Sequence, residues 1–172
     1  APTLLQASYT GTSVTTTLCT PNVPVTTEIK SSDLASIYDI ILNVDLPSYN
    51  TVNLENPLTY VPGTLQISYN NGATWITAPA NNGYIASGSP TNADFSINVE
   101  TLSNATGGTL ATTGLASNSK VLIRYELKTS CSHVVGSGPR TVVTASGPCG
   151  GIATGSPIDL GSLPINISGV AP

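Results

Sequence analysis

Residues 37–76 read IYDIILNVDLPSYNTVNLENPLTYVPGTLQISYNNGATWI, and this stretch decides the fold class. Tyr38, Ile40, Leu42, Val44 and Leu46 fall on one side of an extended chain, with Asp39, Asn43 and Asp45 on the other. That is the period-two alternation of a half-buried strand. Pro47 ends the run. After a loop through Pro57, the residues Leu65, Ile67 and Tyr69 alternate again, the pattern stops at Asn70-Asn71-Gly72, and it resumes at Trp75 and Ile76. An Asn-Gly between two alternating runs supplies the positive φ that tight hairpin turns require.

The same alternation recurs on both sides of this stretch. Upstream, Leu4, Leu5, Tyr9 and Val14 lie among threonines and fit one or two strands, Pro21 and Pro24 are expected to break the ladder, and Val25, Thr27 and Ile29 form a further strand. Ser31-Ser32-Asp33 reads as a turn. Downstream, Phe95, Ile97 and Val99 alternate, KVLIRYELK (120–128) is a strand with a charged outer face, and 140–145 is another. The Gly/Ala/Thr/Ser-rich segment from Leu102 to Ser119 reads as an exposed connection with a short edge strand at most. Strands at this spacing, with no long helix, predict an all-β antiparallel sandwich of roughly seven to nine strands, with a jelly roll as the alternative.

At 172 residues the chain is long enough for one domain with a real core, so 1–172 is read as a single sandwich domain. Charged residues make up 8%, against roughly a quarter in an average soluble domain. With five basic residues and a net charge of −4 there is no electrostatic footprint for nucleic acid or an anionic membrane surface. No run approaches the ~20 apolar residues of a membrane span, and the opening APTLLQAS lacks the features of a signal peptide. It reads as the start of a mature or excised segment.

Cys19, Cys131 and Cys149 fit no zinc spacing, and His133 offers no second ligand. A disulfide is the expected use, contributing ~3 kcal/mol through the unfolded chain, with three buried thiols as the alternative. Cys131 and Cys149 flank one hairpin and close the shorter loop, so they are the expected pair, leaving Cys19 odd; a simple hairpin register does not set them directly opposite, and the alternative is that Cys19 displaces either. His133, in TSCSHVV, has no nucleophile elbow to serve, and the carboxylates Asp39, Asp45, Glu55, Asp94, Glu100, Glu126 and Asp159 are scattered. No calcium-loop run and no phosphate-cradling glycine loop occurs. No catalytic residue, cofactor or metal site is therefore assigned. Asn104 and Asn166 fit glycosylation sequons. Trp75, at an alternating position, is expected in the core rather than as a sugar platform, and Tyr38, Tyr69 and Tyr125 as core or sheet-rim aromatics.

The order of elements, NVDLP, then YVPGTLQISYNNGATW, then KVLIRYELKTSC and TVVTASGPCG, resembles the Ig-like repeat modules of large secreted bacterial surface and adhesin proteins over about residues 14 to 150. The resemblance implies an Ig-like sandwich, an extracellular cell-surface location, a stalk or filament role, and no enzymatic activity. The residues themselves leave three classes: a structural module, a carbohydrate- or host-surface-binding domain, and, least favoured, an enzyme. Aromatics at 5%, mostly at core-phase positions, favour the first.

Both ends are apolar and extended. Leu4, Leu5, Tyr9 and Val14 at one end, and Ile158, Leu160, Ile165 and Ile167 at the other, would leave a bare edge in water unless covered. They are either outer strands of this sandwich or, within 1–13 and 156–172, linking or exchanged strands that pair with a neighbouring copy. The expected partner is the same domain, end to end. On the exchange reading, removing residues 1–13 abolishes assembly and leaves a β domain.

Overall fold

The computed structural model describes residues 3–17, 23–80, 83–87, 90–134 and 136–169. In chain order the strands are β1 (Leu5–Tyr9), β2 (Val14–Thr17), β3 (Val23–Ser31), β4 (Tyr38–Asp45), β5 (Leu58–Tyr60), β6 (Gln66–Ser68), β7 (Ile76–Thr77), β8 (Ile85–Ser87) and β9 (Phe95–Asn98). Two short helices follow, α1 (Val99–Ala105) and α2 (Leu110–Thr113), and then β10 (Lys120–Thr129), β11 (Arg140–Ser146), β12 (Ile158–Ser162) and β13 (Ile165–Gly169). One sheet runs β1-β3-β10-β6-β7, with β5 also on β10, and the other runs β12-β11-β4-β9-β8. All pairings within both are antiparallel. A third, two-stranded sheet pairs β13 parallel to β2. The fold is a β-sandwich, cut into more and shorter strands than the sequence spacing suggests.

Alternation fixes which face of each strand goes inside. In β3 the buried side chains are Val23, Val25, Thr27, Ile29 and Ser31, and in β4 they are Ile40, Leu42 and Val44. From β10 come Val121, Ile123, Tyr125 and Leu127, which meet Phe95 and Ile97 of β9 and Val143 of β11 in one core. Tyr60, Phe95 and Tyr125 stack there with ring centroids 5.1 to 6.3 Å apart. Each large side chain buried this way contributes about 1.5–3 kcal/mol. The Asn-Gly turn behaves as its chemistry requires: Asn71 has φ 60° and Gly72 φ 85°. Gln66 faces Thr77 and Ile67 faces Ile76 across that hairpin.

Four expectations are corrected. Pro24 does not break the ladder but stands in β3 opposite Glu126. Thr26 turns its carbonyl to Thr10 at the end of β1, so Pro24, two residues earlier, directs its ring nitrogen past that end, where no donor is needed. The segment from Leu102 onward is not an exposed connection. Asn98 accepts a hydrogen bond from the Thr101 N–H at 3.1 Å as helix cap, and Val99, Leu102, Leu110 and Leu115 are buried.

Trp75 is not in the core. It stands in the loop before β7, half-exposed, with the Arg124 guanidinium 3.9 Å from its ring centroid. The Cys131–Cys149 pair does not form: Cys131 is disulfide-bonded and Cys149 is free and exposed. Cys149 sits in the turn after β11, whose strand length separates it from the loop that carries Cys131. Loop length along the chain is no guide when a strand intervenes. Cys19, expected to be the odd thiol, lies outside the described residues, as does Pro21.

Candidate functional site

Of the terminal residues singled out from the sequence, all but Leu4 lie in strands of this chain's own sheets, and Leu4 directly precedes β1. β1 pairs with β3 from Leu5↔Ser31 to Tyr9↔Thr27, β12 pairs with β11, and β13 with β2. Leu5 and Ile165 are 0% exposed, while Leu4, Tyr9, Val14, Ile158 and Leu160 are half-buried. Ile167 stands in β13 opposite Thr16. Tyr9 ties the two sheets together: its hydroxyl donates to the Gly161 carbonyl at 2.8 Å and accepts from the Thr141 N–H at 2.9 Å. Burial pushes its phenol above the ordinary range, a push the Thr141 bonds partly offset.

These bonds also place the start of β1 and the start of β13. The Leu4 and Leu5 amides donate to the Thr154 carbonyl, beside the end of β11 at Ser146. Ile165 bonds Ser137, and Leu163 bonds Pro139, just before β11 begins. The seven residues of β11 therefore separate the start of β1 from the start of β13, roughly 20 Å at the strand rise. Gly138 makes the second junction possible, because a Cβ there would lie 1.8 Å from the Leu163 carbonyl oxygen.

His133 is buried in the loop against β13, its Nε2 3.1 Å from the Ile165 carbonyl, with no partner at Nδ1. Among the described residues its ring makes no hydrogen bond to a carboxylate, hydroxyl or thiol. Among the described residues no group of three His, Cys, Asp or Glu is placed to hold a metal ion, and no helix is long and apolar enough to cross a membrane.

Charge is divided between the two outer faces. Four of the five basic residues, Lys30, Lys120, Arg124 and Lys128, lie on the outside of the β3-β10 sheet, accompanied by Glu28 and Glu126. The fifth, Arg140, is on the opposite sheet, where its Nε lies 3.1 Å from both Asp159 carboxylate oxygens and its Nη2 bonds one of them. The guanidinium holds the Asp159 carboxyl at about 2, below the usual range, with help from the Gly161 N–H. Both side chains are exposed, so water screens the pair.

A concavity of about 450 Å³ forms a groove on the outer face of the first sheet. Thr26, Thr64, Gln66, Thr77, Arg124 and Glu126 line it. Cross-strand register builds it, since Arg124 is opposite both Thr26 and Gln66, and Gln66 is opposite Thr77. Arg124 Nε donates to the Gln66 side-chain oxygen Oε1 at 2.6 Å, and Gln66 Nε2 donates to Thr77 Oγ1 at 3.0 Å. Sequence reasoning missed this groove because it put Trp75 inside. A second, more apolar cleft of about 300 Å³ lies where β7 and β8 leave the sandwich open, lined by Tyr60, Pro62, Ala78, Pro79, Tyr84 and Ile85.

No known protein family and no curated protein matches the sequence. Solved structures do match the fold. The major pilin subunit BcpA of Bacillus cereus aligns with 95% of this chain and 40% of its own at 9% identity, TM-score 0.50. The pilus backbone protein RrgB of Streptococcus pneumoniae aligns with 85% of this chain and 31% of its own, at 14% identity and TM-score 0.43. AvmM, which catalyses macrocyclization in alchivemycin A biosynthesis, aligns with 96% of this chain and 85% of its own, at 11% identity and TM-score 0.47. The chain thus spans well under half the length of the pilins. The fold resembles that of the BcpA pilin, and at such identity a likeness speaks of fold alone.

Proposed function

We propose that this domain is a structural module of a secreted surface filament, stalk or adhesin, joined end to end with copies of the same domain. The observation that carries the proposal is the placement of the start of β1 and the start of β13 at opposite ends of the sandwich. A domain held at opposite ends extends an array by its full length, whereas one held at a single end hangs from it. BcpA, whose fold this chain resembles, is a major pilin subunit, and RrgB builds a pilus backbone.

Covalent tandem linkage is favoured over strand exchange. Donating β1 to a neighbour would uncover Leu5 and break the Tyr9 bonds, and the domain would have to recover both from another copy. No catalytic role is assigned to the chain.

Two copies joined in tandem test the idea by small-angle X-ray scattering. A maximum dimension close to twice that of the single domain is the expected result. A compact pair, folded back side by side, would overturn the end-to-end arrangement.

A further inference from the structure

The geometry points to the groove on the outer face of the first sheet as a binding site for a neutral saccharide. This goes beyond the spacer role and does not depend on it. Arg124 and Glu126 stand two residues apart on one face of β10, about 7 Å along the strand, and line the same groove. Among the described residues neither forms an ion pair, whereas Lys120 on the same face lies 3.5 Å from Glu28. The Arg124 guanidinium spends its Nε–H on Gln66 and rests on the Trp75 ring, which fixes its plane and, among the described residues, leaves its Nη groups without a hydrogen-bond partner. Among the described residues the Glu126 side chain accepts no hydrogen bond, although its backbone N–H is held by Thr64 Oγ1 at 3.0 Å.

A preset donor fork and a free carboxylate, side by side, ask for a ligand that offers donors and acceptors at close spacing with little net charge. In the groove Glu126 disfavours a strongly anionic ligand, and Arg124 with the neighbouring lysines disfavours a cationic one. A vicinal diol fits. One hydroxyl donates to the Glu126 carboxylate, the adjacent oxygen accepts from an Arg124 Nη–H, and further hydroxyls reach Thr26, Thr64 and Thr77 along the walls. A volume of about 450 Å³ is that of a small-molecule site, room for one or two sugar rings. Trp75 serves as a positioning residue that keeps the guanidinium in plane.

The test is a two-dimensional amide NMR titration of the intact domain with cello-, malto-, laminari- and chito-oligosaccharides, each taken to about 10 mM, tenfold above a ~1 mM dissociation constant. A galacturonate oligomer is the anionic control. The expected result is saturable shifts at Thr26, Thr64, Gln66, Arg124, Glu126 and the Trp75 indole N–H with at least one neutral sugar. Glu126→Gln and Arg124→Lys should each weaken that binding at least tenfold while the rest of the spectrum stays unchanged, and Trp75→Ala should weaken it through the same Arg124 signals. Absence of shifts with every neutral sugar, shifts confined to other surfaces, preference for the galacturonate, or unchanged affinity in Glu126→Gln would each overturn the assignment.

Discussion

The two long edges of the sandwich are built differently. On one, β1 and β12 lie against each other, and Tyr9 of the first sheet reaches Gly161 and Thr141 of the second. On the other, β7 is two residues long with Ile76 38% exposed, and between it and β8 the sheets part over a cleft of about 300 Å³. The laced edge is made by the first strand and the last but one, which lie far apart in the sequence. Stability is therefore concentrated where sequence-distant strands meet, and the hairpin that announces the fold in the sequence sits at the looser edge.

The largest test is to remove residues 1–13. On the exchange reading a β domain would survive, but β1 contributes five ladder pairs and the fully buried Leu5. The expected outcome is loss of the cooperative unfolding transition by circular dichroism. A folded truncated chain with the same midpoint would show that the laced edge contributes little.

Tyr9→Phe keeps the ring and deletes the hydroxyl, leaving the Thr141 N–H and the Gly161 carbonyl without it. The expected loss is about 1–3 kcal/mol in urea unfolding. At the open edge, Ile76→Thr removes only a partly exposed side chain and should stay within about 0.5 kcal/mol. Equal effects from these two substitutions would erase the distinction between the edges.

The smallest effect concerns Arg140 and Asp159, the exposed pair on β11 and β12. The Asp159 carboxyl is lowered from 3.8 to about 2 in the fold, so its contribution is fully present above pH ~4 and is lost as the pH falls through about 2. Arg140→Gln should return the Asp159 titration, followed by carboxyl carbon shifts, toward the ordinary range, with little change in stability at neutral pH. An Asp159 midpoint unmoved by that substitution would remove Arg140 as the cause.

Much of the sandwich was legible because half-buried strands carry their burial in every second residue. Val25 to Ile29, Ile40 to Val44 and Val121 to Leu127 are buried in the phase their spacing states. Short elements were harder. In α1, Val99 and Leu102 are three apart with Asn98 as cap and Glu100 in the first turn, a helix-start pattern hidden among threonines, serines and glycines. The groove escaped notice for a different reason. An alternating aromatic usually points inward, and only the cross-strand position of Arg124 beside Gln66 reveals that Trp75 has a partner outside. The pairing of β13 with β2 and the contact of β1 with β12 join residues more than a hundred positions apart, where no local pattern can speak.

The direction of β1 has a mechanical consequence. The strand points from the end where Leu4 meets Thr154 toward the end where Ile165 meets Ser137. Tension between the two ends would pull along its axis, in shear against β3, so that its five ladder pairs share the load at once. A strand peeled sideways surrenders its hydrogen bonds one at a time and yields at much lower force. Forced unfolding is governed by the height of the barrier rather than by equilibrium stability, and loading in shear raises that barrier. A domain of modest thermodynamic stability can in this way be a stiff link under tension.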